Sequence, residues 1–162
     1  MLIATNAAGN YWGYSVTDTI VDRIITVKGL CSLQEEDIRA AFDLSPAEYH
    51  GLCALARGER VMCRELSLRM GLSPSRGSRI VEKMVARGFL EASPHPSDRR
   101  VQQLALTPAG EKIRAGIDAR REACEKEILE HLTAGQIADI KRSLDILCET
   151  LRKRGNTHEL SH

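Results

Sequence analysis

The run from Val61 to Thr107, VMCRELSLRMGLSPSRGSRIVEKMVARGFLEASPHPSDRRVQQLALT, leaves few folds open to this chain. Met62 to Met70 reads as a short helix, with Leu66 and Met70 one turn apart and the small Ser67 between them. Gly71 is the residue type that ends a helix in the left-handed conformation. Leu72 anchors the turn, and Ser73-Pro74 starts a second helix as N-cap and first helical residue. The second helix stops at Gly88; it carries Ile80, Val81 and Met84 on one side and Ser75, Arg76, Ser78, Arg79 and Lys83 on the other. A helix, a tight turn, then a helix with an apolar back and a Ser/Arg front is the pattern of a helix-turn-helix. Phe89 to Ala92 and Val101 to Thr107 read as short strands around a turn-rich loop, Ser93 to Arg100. A hairpin in that place, with Arg99-Arg100 near its tip, is a wing.

The whole-chain charge of +1 hides an asymmetry. Residues 1–59 hold four Lys/Arg against eight Asp/Glu, residues 60–100 hold nine against four, and residues 101–162 hold ten of each. Positive charge is therefore concentrated on the helix-turn-helix, as a polyanionic partner requires. Aromatic content of 4% disfavours a stacking platform for single strands or RNA, which leaves duplex DNA as the expected partner. Backbone N–H groups near Ser73 to Ser75, with the serine hydroxyls, suit phosphate oxygens at a helix N-terminus. Arg76 and Arg79, three apart, can reach phosphates or the O6/N7 edge of guanine.

The segment resembles the MarR family of bacterial transcription regulators. The residues that carry the resemblance are Leu66-Ser67, Met70, Leu72-Ser73, Ser75, Ser78-Arg79, Val81, Met84, Gly88-Phe89, Pro96, Asp98-Arg99-Arg100, Leu104, Leu106-Thr107 and Gly110. The Asp-Arg-Arg element followed by an apolar strand and Thr-Pro is its most specific part. The chain departs from the family pattern at Gly77, where an apolar residue is usual, and at His95, where Asp is frequent. The resemblance implies that Arg100 enters the minor groove, that Asp98 steadies it and that Arg99 meets the backbone. It further implies a sequence-specific, ligand- or oxidant-responsive repressor with a small-molecule effector. Gly77 is either a close-packing site under the first helix of the motif or a weak point in a recognition helix that orders on DNA.

The rest of the chain reads as helical support. Tyr11, Trp12 and Tyr14 lie in an N-terminal arm, to pack on a neighbouring helix or subunit or to meet an effector. Ser15 to Asp18 resembles a capping box opening a helix that Gly29 ends near Lys28. Leu30 to Ser32 is then loop, and Gln34 to Phe42 a short acidic helix. Ser45-Pro46 starts another helix, expected to run to Arg57. After the wing, Thr107-Pro108 opens a long helix with the stripe Ile113, Ile117, Cys124 and Ile128. Thr133 to Gln136 is a capping box for the last helix, whose Ile137, Ile140, Leu144, Leu147 and Leu151 form a heptad seam. A compact winged helix cannot cover all these apolar faces, and a second copy of the chain is the economical cover. The expected fold is therefore mainly α with a small β-hairpin wing, a winged helix-turn-helix (45–107) inserted between dimerisation helices (1–44 and 108–162).

Five scattered cysteines form no C-x-x-C and no set with zinc spacing, so no metal or other cofactor is expected and the thiols are read as reduced in a cytoplasmic protein. Cys53 and Cys124 lie on apolar stripes, Cys63 and Cys148 stay open, and Cys31, in the expected loop, is the candidate redox sensor. The first residues lack the basic and apolar parts of a signal peptide, and no stretch reaches the ~20 apolar residues of a membrane span. Nucleophile elbow, HExxH and phosphate loop are all missing, which argues against an enzyme. The expectation is a homodimeric regulator reading an inverted repeat in double-stranded DNA. The alternative is a winged-helix protein-interaction module without DNA binding.

Overall fold

A computed structural model describes residues 19–95, 97 and 102–159 of the chain. Their elements run α1 (Ile20–Ala41), α2 (Pro46–Cys53), β1 (Val61–Met62), α3 (Cys63–Arg69), α4 (Pro74–Ala86), β2 (Leu90–Pro94), β3 (Gln102–Leu106), α5 (Pro108–Glu130) and α6 (Ala134–Glu159). The expected mainly helical fold with a small wing is observed, although the sheet has three strands in the order β1-β3-β2. The chain divides within α5 into two units, one up to Ile117 and one from Asp118 onward. The expected aromatic arm and the Ser15–Asp18 cap lie outside the described residues.

Helix boundaries differ from the sequence expectation at both ends of α1 and at the end of α2. Thr19 caps α1, accepting from the Asp22 amide at 3.1 Å while Asp22 accepts from the Thr19 amide. The helix then passes straight through Gly29 to Ala41. Glycine inside a helix costs about 1 kcal/mol relative to alanine, which does not by itself end one. Cys31 accordingly sits on a helix, exposed, and not in a loop. The true stop is Asp43 at φ 52, with the Leu44 amide donating back to the Arg39 carbonyl at 2.9 Å. The α2 helix ends at Cys53 rather than Arg57. Its last carbonyls are taken by a distant side chain: Arg114 Nη1 donates to the carbonyls of Leu52 (3.2 Å), Cys53 (2.8 Å) and Leu55 (3.2 Å).

The first unit is organised around one core. Leu52 and Leu55 from the α2 region, Leu66 of α3, Val81 and Met84 of α4, and Leu90, Leu104 and Leu106 of the sheet are all buried, joined by Ile117 in the first half of α5. Antiparallel pairing sets Leu90 opposite Leu106 and Ala92 opposite Leu104. The short β1 is not expected from the sequence, which reads as helix from Met62; it pairs Val61 with Leu104. Thr107 joins the sheet to α5: its hydroxyl donates to the Gly88 carbonyl at 2.5 Å and accepts from the Gly110 amide at 3.0 Å.

In the second unit, the reciprocal Thr133–Gln136 cap opens α6 as expected, with the Gln136 amide donating to the Thr133 hydroxyl at 3.3 Å and the Thr133 amide to Gln136 at 2.9 Å. The apolar residues of α6 stand open: Ile140, Leu144 and Leu151 are each nearly half exposed.

Candidate nucleic-acid interface

The helix-turn-helix forms where the sequence placed it. Gly71 adopts φ 67, which lets the Leu72 amide fold back onto the Ser67 carbonyl at 3.0 Å and aims the chain into α4. Gly88, at φ 72, ends α4 the same way, with the Phe89 amide on the Met84 carbonyl at 2.9 Å. The two helices touch at Gly77, where a Cβ would lie 1.9 Å from the Ser67 hydroxyl oxygen and 2.3 Å from its Cβ. Gly77 is therefore a close-packing residue. Its departure from the family pattern is matched by the small partner that faces it.

The opposite face of α4 is open. Ser73, Ser75, Arg76 and Arg79 are exposed, and among the described residues Arg76 and Arg79 have no ion-pair partner. Ser73 occupies the N-cap position with extended backbone, yet its hydroxyl does not cap; it lies 3.5 Å from the Ser75 hydroxyl. The first-turn amides of α4 thus keep no side-chain acceptor, the arrangement that receives an anion at a helix N-terminus. Ser78 is half-buried instead, donating to the Pro74 carbonyl at 3.0 Å and lying 3.7 Å from Cys63 Sγ. Lys83 is half-exposed, with its Nζ 3.4 Å from Glu48 Oε1.

Sequence reasoning missed Glu48. This carboxylate has no exposed surface. Burial pushes its pKa up, but the Ser45 hydroxyl and amide and the Arg87 guanidinium outweigh that and hold it at about 2. Ser45 N–H and O–H donate to Oε2 at 2.8 and 2.6 Å, and Arg87 Nη1 reaches both oxygens at 3.1 Å. Arg87 also donates to the Asp43 carbonyl and carboxylate at 2.8 and 3.1 Å and stacks 4.6 Å above the Phe89 ring. The cluster ties the C-terminal end of α4 to α2 and to the turn before it. The Ser-x-x-Glu spacing was a visible signal for the cap, but no local pattern pointed from Glu48 to Arg87.

Ion pairing sorts the positive charge of residues 60–100. Arg69 donates to Glu59 and Glu65, each at 2.7 Å, and to the Ala54 carbonyl at 3.0 Å, and these partners push its pKa up. The Arg69 guanidinium and the Ala56 amide hold the Glu59 carboxyl below its usual range. Arg60 donates to the Ser93 hydroxyl at 2.7 Å and lies 3.7 Å from Glu91, across the base of the wing. What stays free among the described residues is Arg64 on α3 and Arg76 and Arg79 on α4. Asp98, Arg99 and Arg100 lie outside the described residues. Beside them, His95 Nδ1 accepts from the Ser97 amide at 3.2 Å. An Asp side chain makes the same kind of contact to residue i+2 in an Asx-turn.

Among the described residues no group of His, Cys, Asp and Glu could hold a metal ion. None of their helices is long and apolar enough to cross a membrane. Cys53, Cys63 and Cys124 are half-buried and Cys148 is exposed, all as free thiols.

Residues 42–101 match the model of the MarR family. Over 118 residues the chain is 26% identical to YsmB of Bacillus subtilis, an uncharacterized HTH-type transcriptional regulator, covering 73% of this chain and 81% of YsmB. The fold is shared with Streptococcus pneumoniae FabT, solved in complex with DNA, at a TM-score of 0.72 and 20% identity over 82% of this chain and 96% of FabT. It is also shared with RV1404 of Mycobacterium tuberculosis, at a TM-score of 0.70 and 21% identity over 86% and 97% of the two chains.

Proposed function

We propose that this chain, whose residues 42–101 match the MarR family model, is a MarR-type homodimeric transcription regulator that binds double-stranded DNA. The observation that carries the proposal is the pair of exposed, unpaired guanidinium groups of Arg76 and Arg79 beside an uncapped α4 N-terminus. Most other cations of the region are spent on carboxylates, so the free ones mark the face left for a polyanion. Ser73 and Ser75 contribute hydroxyls at the phosphate end of α4, and Ser78 stands one turn further in. In the wing, Asp98, Arg99 and Arg100 take the roles that the family resemblance implies: Arg100 in the minor groove, Asp98 steadying it, Arg99 on the backbone.

The division of labour follows the three parts expected from the sequence. Residues 45–107 bind DNA, and residues 1–44 and 108–162 join two copies. Support comes from the apolar side chains left open at each end, such as Ile20 and Val21 on α1, at 71% and 62% exposure, and the seam of α6. A two-fold dimer reads an inverted repeat with half-site centres about one helical turn apart, ~10 bp, or a small multiple. This is a binding protein working in the cytoplasm, not an enzyme, and a small molecule or an oxidant sets its DNA occupancy. Cys31, exposed on α1, is the candidate for the oxidant route.

Selection from random duplexes, followed by affinity measurements over a range of salt, tests the proposal. An enriched inverted repeat with a steep log–log salt dependence is expected, since each phosphate neutralised adds about −0.9 to the slope. A flat salt dependence, or enrichment of an unpaired half-site alone, would contradict it.

A further inference from the structure

Lys83 continues the stripe of Arg76 and Arg79 along α4, four residues beyond Arg79. Spacing alone makes it a third cation for the DNA face, but its ammonium is directed elsewhere, 3.4 Å from Oε1 of the buried Glu48. Glu48 does not need it for hydrogen bonding: Ser45 donates twice to Oε2 and Arg87 reaches both oxygens. Charge explains the contact better. Glu48 and Asp43 place two negative charges in the cluster, while Arg87 supplies one positive charge and Lys83 the other. A carboxylate without solvent has only these cations to screen it, so its hold on the nearest mobile ammonium is stronger than that of an exposed partner.

We infer that Glu48 is a positioning residue that withholds Lys83 from DNA phosphates, so that the free cationic face of the recognition helix ends at Arg79. The inference rests on the duplex-binding reading. Phosphate contacts strengthen binding to every sequence alike. A regulator among many competing sites gains selectivity when the sequence-independent share of its affinity is trimmed. Glu48 does this from beneath the helix, where it touches no DNA itself.

Two readouts test it. In the free protein, acetylation of lysines by an N-hydroxysuccinimide ester, followed by peptide mass spectrometry, is expected to be slower at Lys83 than at the exposed Lys112 and Lys141. The Lys83 rate is expected to rise several-fold in Glu48→Gln, whose amide keeps the Ser45 cap but not the charge. Equal Lys83 rates in the two proteins overturn the inference without reference to DNA. With duplex DNA, Lys83→Ala is expected to leave the salt slope of the wild-type chain unchanged. Glu48→Gln is expected to steepen that slope by about 0.9 per subunit, roughly an eightfold gain at ~0.1 M salt, and adding Lys83→Ala should cancel the gain. A purely structural role for Glu48 would lower affinity in Glu48→Gln without steepening the slope, and that result counts against the inference. Lys83→Ala, a change at a half-exposed position, remains readable if Glu48→Gln folds poorly. If Lys83→Ala itself makes a steep wild-type slope shallower by about 0.9, Lys83 is a phosphate clamp and the inference alone falls. A wild-type chain with no salt-dependent duplex binding sinks the regulator reading, and this inference with it.

Discussion

Replacing Gly77 by alanine should destabilise the protein, although the same exchange in an ordinary helix interior gains about 1 kcal/mol. The added methyl carbon would lie 1.9 Å from the Ser67 hydroxyl oxygen, 2.3 Å from its Cβ and 3.1 Å from its Cα. Carbon atoms rest about 3.5 Å apart, so α3 and α4 must separate by roughly 1.2 Å or Ser67 must be displaced. A rotamer change moves the hydroxyl but not the Cβ. Overpacking of a core contact costs about 1–3 kcal/mol, occasionally more, and contacts this short belong at the upper end. After subtracting the propensity gain, the net loss is about 2 kcal/mol. Chemical denaturation at a fixed protein concentration reads it. Ser67→Gly removes both offending atoms, so the double variant should lose less stability than the two single changes added together, a positive coupling in a mutant cycle. Duplex affinity should fall with Gly77→Ala as well, because the shift moves the helix that carries Arg76 and Arg79. A Gly77→Ala protein that is more stable by about 1 kcal/mol, with no coupling to Ser67, would refute the close-packing argument.

Other consequences are separately measurable. The Glu48 carboxyl is depressed from 4.5 to about 2, so its stabilising contribution is full above about 4.5 and lost as pH falls toward 2; acid titration of stability should show that window, and Glu48→Gln should flatten it. Arg114→Met keeps the apolar stem but abandons three carbonyls at the end of α2, a loss of about 1–3 kcal/mol in denaturation that Arg114→Lys should not fully restore. Replacing Leu144 and Leu147 together by lysine should give an unfolded or aggregated chain by circular dichroism and light scattering. A well-folded monomer from that variant would place the α6 seam inside one subunit.

Most of the winged helix-turn-helix unit was legible because its signals are local. Pro74, Gly71 and Gly88 punctuate α4, and the period of Val81 and Met84 defines its buried side. The expected N-caps at Ser45, Thr107 and Thr133 all formed, each needing only residues within one turn. The errors occur where a distant partner decides. Arg114 shortens α2 from about 60 residues away, and β1 exists because Val61 finds Leu104 across the sheet. Gly29 misled for the opposite reason: a helix breaker ends a helix only when the chain has somewhere else to turn, and here that place is Asp43. The candidate site shows the same division. Arg76 and Arg79 could be selected from spacing and charge, whereas the engagement of Lys83 by Glu48 depends on a contact between positions 35 residues apart.

The most direct test of the central claim, that α4 and the wing read duplex DNA by different means, is a parallel affinity series for Arg79→Ala and Arg100→Ala over core-mutated and flank-swapped operators. Thermal melts of both proteins serve as the control for folding. Arg79, exposed on α4, should relax the core consensus when lost, costing about 1–3 kcal/mol if it bonds a base bidentately, and leave the flank preference alone. Arg100, from the wing, should cost most on operators with A·T-rich flanks, whose narrow minor groove attracts a guanidinium. Uniform losses across all sequences would make both arginines phosphate clamps only. No loss in either variant would contradict the assignment of this face to DNA.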